Sequence, residues 1–197
     1  MRRRTFDLLM VMAGFAVAAV LLIAGALLTW GHVFVSNQVT TQLQEQKITF
    51  PAANSPEIKA LPRADAAAMR QYAGQLMTNG AQAETYADHF IAVHLKEIGG
   101  GLTYAQLSAK SLAQPKNIAL ANQVQTVFRG TTLRGMLLEA YGFWQMGQII
   151  WIGAIVSFVG AGLMLILSFL GLWHSRRVPA DAEVFPAAVG PARAPVA

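Results

Sequence analysis

Cysteine is missing from all 197 residues. That excludes disulfides, thiolate metal sites and cysteine nucleophiles, so an exported domain of this chain must be held by its core, a membrane tether or a partner. Charge is also scarce. Asp, Glu, Lys and Arg make up 13% of the chain, about half the roughly 25% of an ordinary soluble domain. No G-x-S-x-G elbow, phosphate-cradling P-loop or aromatic-laced basic patch is present, and without them hydrolase, nucleotide and nucleic-acid chemistry lose their usual carriers. Alternating β-patterns of useful length are absent too. No catalytic, cofactor-binding or metal-ligating residue is assigned, and no nucleic-acid partner is expected.

What replaces charge is apolar length. The composition is 54% hydrophobic with a mean hydropathy of +0.41. LLMVMAGFAVAAVLLIAGALLTW (Leu8–Trp30) and WIGAIVSFVGAGLMLILSFLGLW (Trp151–Trp173) carry no charge, and about 20 apolar residues span a hydrocarbon core of about 30 Å. Both are read as transmembrane helices, with 8–30 the first and 141–174 an interfacial approach followed by the second. A cleaved signal peptide is the rival reading of the first run. MRRR resembles a basic leader and Ala24-Gly25-Ala26 a cleavage site, but the run continues past that point to Trp30.

Flanking charge gives the orientation. Arg2, Arg3 and Arg4 precede the first run and Arg176 and Arg177 follow the second, and short basic flanks stay cytoplasmic. The expected plan is a cytoplasmic N-terminus (1–7), a helical extracytoplasmic domain (31–140) and a disordered cytoplasmic tail (175–197), in the plasma membrane with both ends inside. The fold class is an all-α membrane protein. Neither run holds an ionisable residue in its centre, which argues against an ion pathway through this chain alone. Small residues at every fourth place, Gly153, Ser157 and Ala161 in one run and Gly14 and Ala18 in the other, suit close helix packing.

In the outer segment Val35, Val39 and Leu43 continue the first helix into water, with Gln38, Gln42, Gln44 and Gln46 on the wet face, as far as Phe50-Pro51. Pro51–Pro62 reads as a linker. Asp65 is the expected N-cap of the next helix. Met69, Ala73, Leu76, Gly80, Ala83, Ala87, Ile91, His94 and Ile98 then recur at helical spacing, over one helix or two collinear ones. Gly99-Gly100-Gly101 ends that stripe. Thr103 caps a short helix, another runs from about Lys116 to Phe128, and Thr131 or Thr132 caps the last.

YADHFIAVHLKE (Tyr86–Glu97) holds two of the four histidines. On a regular helix at about 100° per residue, positions five apart diverge, so His89 and His94 do not chelate one ion. His89 falls on the polar side. His94 falls in the apolar stripe, as a core histidine or a partner contact. FRGTTLRGMLLEAYGFW (Phe128–Trp144) sets Arg129, Arg134 and Glu139 beside Tyr141, Phe143 and Trp144, an interfacial helix with snorkelling arginines or a docking collar. The candidate partner or lipid contacts are therefore His94, Arg129, Arg134, Glu139 and Trp144.

This junction, with VTTQLQEQKITFP (Val39–Pro51) and QAETYADHFIAVHL (Gln82–Leu95), resembles a group of two-pass membrane proteins of high-GC actinobacteria. The resemblance extends over most of the outer domain and the second run, and implies no activity, cofactor or catalytic residue. The leading expectation is a non-enzymatic scaffold or accessory subunit, contacting membrane lipids and a membrane-protein partner or its own copies. The alternatives are a sensor-like module signalling through a partner, disfavoured by the short cytoplasmic ends, and a membrane-bound enzyme.

Overall fold

The computed structural model describes residues 3–179 and is all-helical there. Arg2 and the tail from residue 180 onward lie outside the described residues, and with them the orientation signal at Arg2 and most of the tail expected to be disordered; Ser175, placed in that tail, is helical and buried. Two helices dominate: α1 (Arg3–Glu45) and α7 (Ile118–Ser175), both long and apolar enough to cross a membrane. Between them lie α2 (Pro56–Ala60), α3 (Arg63–Arg70), α4 (Gly80–Tyr86), a π-helical turn (Ala87–Ile91), α5 (Ala92–Ile98) and α6 (Tyr104–Leu112). The chain divides into two compact units, one of 1–29 with 151–197 and one of 30–150.

In the first unit the buried residues are small. Ala18, Ala154, Ala161 and Ser168 are buried while Leu9, Ile23, Leu27, Val156, Leu167 and Phe169 are exposed. Val11, Ala18 and Gly25 on α1, and Ala154, Ala161, Ser168 and Ser175 on α7, are buried at intervals of seven. That repeat is the seam of a left-handed coiled pair. Close approach needs the glycines. A Cβ on Gly14 would strike the Ser168 hydroxyl, and one on Gly25 would lie 2.9 Å from the Phe158 ring. Gly14 and Ala18 thus pack as their spacing suggests. On α7 the fully buried face is Ala154–Ala161–Ser168, with Gly153 and Ser157 half-buried at its side. Past the seam, Arg177 lies 4.3 Å above the Trp173 ring.

The second unit is built the other way round. Its core joins Val39 and Leu43 of α1 to Leu137 of α7 and to Phe50, Ile58, Leu61, Ala66, Met69, Met77, Ala83, Ala87 and Ile91. A smaller cluster of Leu107, Leu120 and Val127 seats α6 on α7. Thr103 caps α6 in a full capping box with Gln106. The three glycines end α5 as expected: Gly100 and Gly101 take φ of +58° and +79°, and the Gly101 N–H donates to the Lys96 carbonyl at 2.8 Å, closing a carbonyl that the helix end leaves free.

Several boundaries differ from the sequence reading, each for a local reason. α1 stops at Glu45 rather than Phe50, turning through a left-handed Lys47 (φ 52°). Residues 48–50 then run extended beside 75–77, with one bridge between Thr49 and Leu76 and Phe50 N–H donating to Gln75 O at 2.9 Å. The 51–62 segment is more than a linker, since it contains α2, capped by Ser55, and buries Ile58 completely. Asp65 does not cap α3. The helix begins at Arg63 after Pro62, because proline pre-sets the entering φ, and the Asp65 carboxylate is turned to another partner. The long stripe is two segments, not collinear continuation: residues 71–79 are non-helical, so Leu76 is 39% exposed and Met77 takes the buried place. Thr131 and Thr132 cap nothing. α7 is continuous from Ile118, with Asn117 Oδ1 accepting from Leu120 N–H at 3.0 Å, and Thr132 returns its hydroxyl to the Phe128 carbonyl at 2.9 Å inside the helix.

Candidate functional site

The π-helical turn organises the polar chemistry of the second unit. The Ala92 N–H donates back five residues to Ala87 O, which adds a residue to the turn and shifts the helical frame. Neighbouring side chains then reach different elements. His89 Nδ1 lies 2.7 Å from Asp65 Oδ1 on α3, and Arg134 Nη2 on α7 donates to Asp88 Oδ1 at 2.6 Å. One turn of chain is thereby tied to a helix on each side. These pairs are partly solvated, so each contributes modestly. The Arg134 Nε is buried without a hydrogen-bond partner, while its Nη2 is held by Asp88 at the partly solvated end of the guanidinium.

Around the turn runs an aromatic chain. Phe50 meets Tyr72 and Tyr86 at 5.3 Å each, Tyr86 meets Phe90 at 4.9 Å, and Phe90 meets His94 at 4.5 Å. Burial pushes the Tyr86 hydroxyl above its ordinary pKa of 10.0, because the phenolate would lose its solvation. His94 Nδ1 lies 2.7 Å from the Phe90 carbonyl. A carbonyl only accepts, so Nδ1 donates and the Nε2 edge is left for other contacts. His89 and His94 are accordingly committed to different partners, and the described residues hold no group of three His, Asp or Glu fit for a metal ion.

Two grooves that share Leu133 as a lining residue lie on α7. The larger, about 530 Å³, runs between α1 and α7 and is lined by Phe34, Val35, Gln38, Val39, Gln42, Leu43 and Gln46 on one side and Leu133, Met136, Leu137, Glu139, Ala140 and Phe143 on the other. Its floor is the buried Val39, Leu43 and Leu137, while Phe34, Leu133, Met136 and Phe143 stay exposed. The four glutamines expected on the wet face are all exposed, and Gln38, Gln42 and Gln46 also rim the apolar trough. The smaller groove, about 330 Å³, adjoins it at Leu133 and contains His94, Arg129, Phe90 and Ile98.

The structure therefore sorts the five candidate residues. His94 and Arg129 share the smaller groove, and Glu139 lines the larger. Arg134 is occupied internally by Asp88. Trp144 packs on the core, where Gly80 leaves room for its ring and a Cβ would collide with it. Sequence reasoning missed the Asp65–His89 and Asp88–Arg134 pairs, since a π-turn has no compositional signature and a regular wheel misplaces both residues. The spacing of Val35, Val39 and Leu43 pointed to the groove floor without showing what would lie opposite.

Compared with protein-family models, with curated proteins and with solved structures, the chain matches none.

Proposed function

We propose that this is an integral membrane protein without a catalytic role, an accessory or scaffold subunit whose outer helical unit docks a partner. The observation that carries this reading is the groove between α1 and α7 in the second unit. Met136 is 63% exposed and Phe34 53%, and with Leu133 and Phe143 they flank a buried floor of Val39, Leu43 and Leu137; Leu112 and Ile118 are also exposed on this unit but line no such groove with them. A contiguous apolar patch with a polar rim is the ordinary form of a contact surface. The membrane assignment is supported by the two long apolar helices, by the outward-facing Leu, Ile and Phe of the first unit, and by arginines outside both runs, which favour cytoplasmic termini.

The test is the size of the assembly. Membranes solubilised in mild detergent and run on a native gel should show the chain well above its own 21.2 kDa plus bound detergent. Met136→Arg, a change at an exposed position, should release it to the monomer while leaving its thermal unfolding unchanged. A monomer for both chains overturns the reading.

A further inference from the structure

We propose that the two grooves that meet at Leu133 on α7 together bind a helix of a partner protein that carries an acidic side chain against Arg129 and His94 and a basic one against Glu139. This rests on the docking role above and names the partner's chemistry.

The shape asks for a helix. On α7, Leu133, Met136, Ala140 and Phe143 are spaced 3, 4 and 3, and Val35, Val39 and Gln42 on α1, with Gln46 just past its end, are spaced 4, 3 and 4. All eight line the same groove. Two antiparallel-running seams of this period form the holes into which the knobs of a third helix fit. The trough has a buried apolar floor, exposed apolar walls and carboxamides along one rim, which suits an amphipathic helix laid in a groove.

Charge decides which helix. Of the three ionic residues between Phe128 and Trp144, Arg134 is neutralised by Asp88, whereas Arg129 and Glu139 make no ion pair among the described residues. His94 stands in the same groove as Arg129 with its Nδ1 already used. The smaller groove thus carries a cation and the larger an anion, ten residues or about 15 Å of helix apart. A second copy in the same membrane with its α7 alongside would set Glu139 against Glu139 and Arg129 against Arg129, which opposes pairing through this face. A bilayer lipid fits poorly as well. Arg129 precedes Ile150 by 21 residues, about 30 Å of helix, and Glu139 would repel an anionic headgroup. A helix bearing both signs satisfies both grooves.

The test uses the full chain in phosphatidylcholine nanodiscs and three fluorescein-labelled amphipathic peptides of about five helical turns. They share one leucine seam. One carries Lys and Glu at separations matching the two grooves, one carries Lys at both places, and one carries Glu at both. Fluorescence anisotropy should show the mixed-charge peptide binding about tenfold more tightly than either other. In Glu139→Lys the preference should pass to the double-Glu peptide. Equal affinities, no saturable binding, or an unchanged preference in Glu139→Lys overturns the proposal. Photocrosslinkers at Met136 and Phe143, compared with Leu112 and Ile118, separate this surface from the wider docking role. A partner reached only from Leu112 or Ile118 keeps the role and sinks the groove. Self-crosslinking from Met136, or displacement of the mixed peptide by phosphatidylglycerol in the disc, assigns the groove to a second copy or to lipid and overturns it equally.

Discussion

The two units bury opposite kinds of side chain. In the first, the inside is Ala18, Ala154, Ala161 and Ser168 and the outside is leucine, isoleucine and phenylalanine; in the second, the largest fully buried side chains are Phe50, Ile58, Met69, Met77 and Leu107. One chain therefore follows two rules. Where surrounding solvent is apolar, burying a large apolar side chain gains little, so small residues that let backbones approach win the interface. Where it is water, each large apolar group removed from contact contributes about 1.5–3 kcal/mol. The inversion falls at Trp30 and Trp151, the bounds of the two apolar runs, and agrees with their being long and apolar enough to cross a membrane.

Volume changes test that contrast most severely. Ile58→Ala should destabilise the chain by about 2–5 kcal/mol, as lost burial and a cavity in the core of the second unit, read as a fall in thermal midpoint in mild detergent. In the first unit the same kind of truncation at exposed Leu167 should cost almost nothing, whereas enlarging Ala161 to Leu should cost about 1–3 kcal/mol by overpacking the seam. If Leu167→Ala proves as damaging as Ile58→Ala, the two units follow one rule and the contrast fails.

A smaller effect is expected at the π-turn. Asp88→Ala should cost about 0.2–1 kcal/mol, since the pair with Arg134 is partly solvated, and Arg134→Leu should rescue part of it by removing the guanidinium left unpaired. Denaturant unfolding of the two single variants and the double variant measures the coupling.

pH gives a gentler probe of the second unit. Tyr86 has a raised folded pKa because burial disfavours its phenolate. The stability tied to this group is complete below the unfolded tyrosine value of about 10. It is lost as pH climbs from there through the folded value, since the unfolded chain gives up the proton first. Tyr86→Phe should flatten that alkaline decline. Glu57 works in the opposite direction and is fully exposed, so its effect should be the smallest. The Ser55 side chain, and then its own backbone N–H, hold its carboxyl below the ordinary value. Its contribution is present above the unfolded carboxylate pKa and fades as pH falls through the folded one, so Glu57→Gln should slightly reduce acid sensitivity. An unchanged alkaline limb in Tyr86→Phe would mean that Tyr86 is wetter than the aromatic chain implies.

Much of the fold was legible because its strongest signals are long and local. Two uncharged runs, Thr103 before Gln106, and three glycines after Ile98 each carry their own physical reason. What stayed hidden depends on contacts distant in sequence. Asp65 reads as an N-cap because nothing nearby shows His89, 24 residues on, waiting for its carboxylate. Met77 rather than Leu76 fills the core because the segment runs extended there, and period counting assumed a helix. Thr131 and Thr132 look like caps, yet a helix held by packing on both sides passes through them. For the candidate site, His94, Arg129 and Glu139 were visible as residues. Their grooves were not, since one needs α5 and the other α1 laid beside α7.

The inversion of packing implies an inversion of surroundings, and a single-cysteine scan reads that directly, because the chain supplies no background thiol. A membrane-impermeant maleimide applied to intact cells should label cysteine at Asn54 and at Gly100, label Arg177→Cys only after permeabilisation, and leave Leu167→Cys unlabelled in both conditions. Ready labelling at Leu167, or labelling at Asn54 only after permeabilisation, would contradict the account.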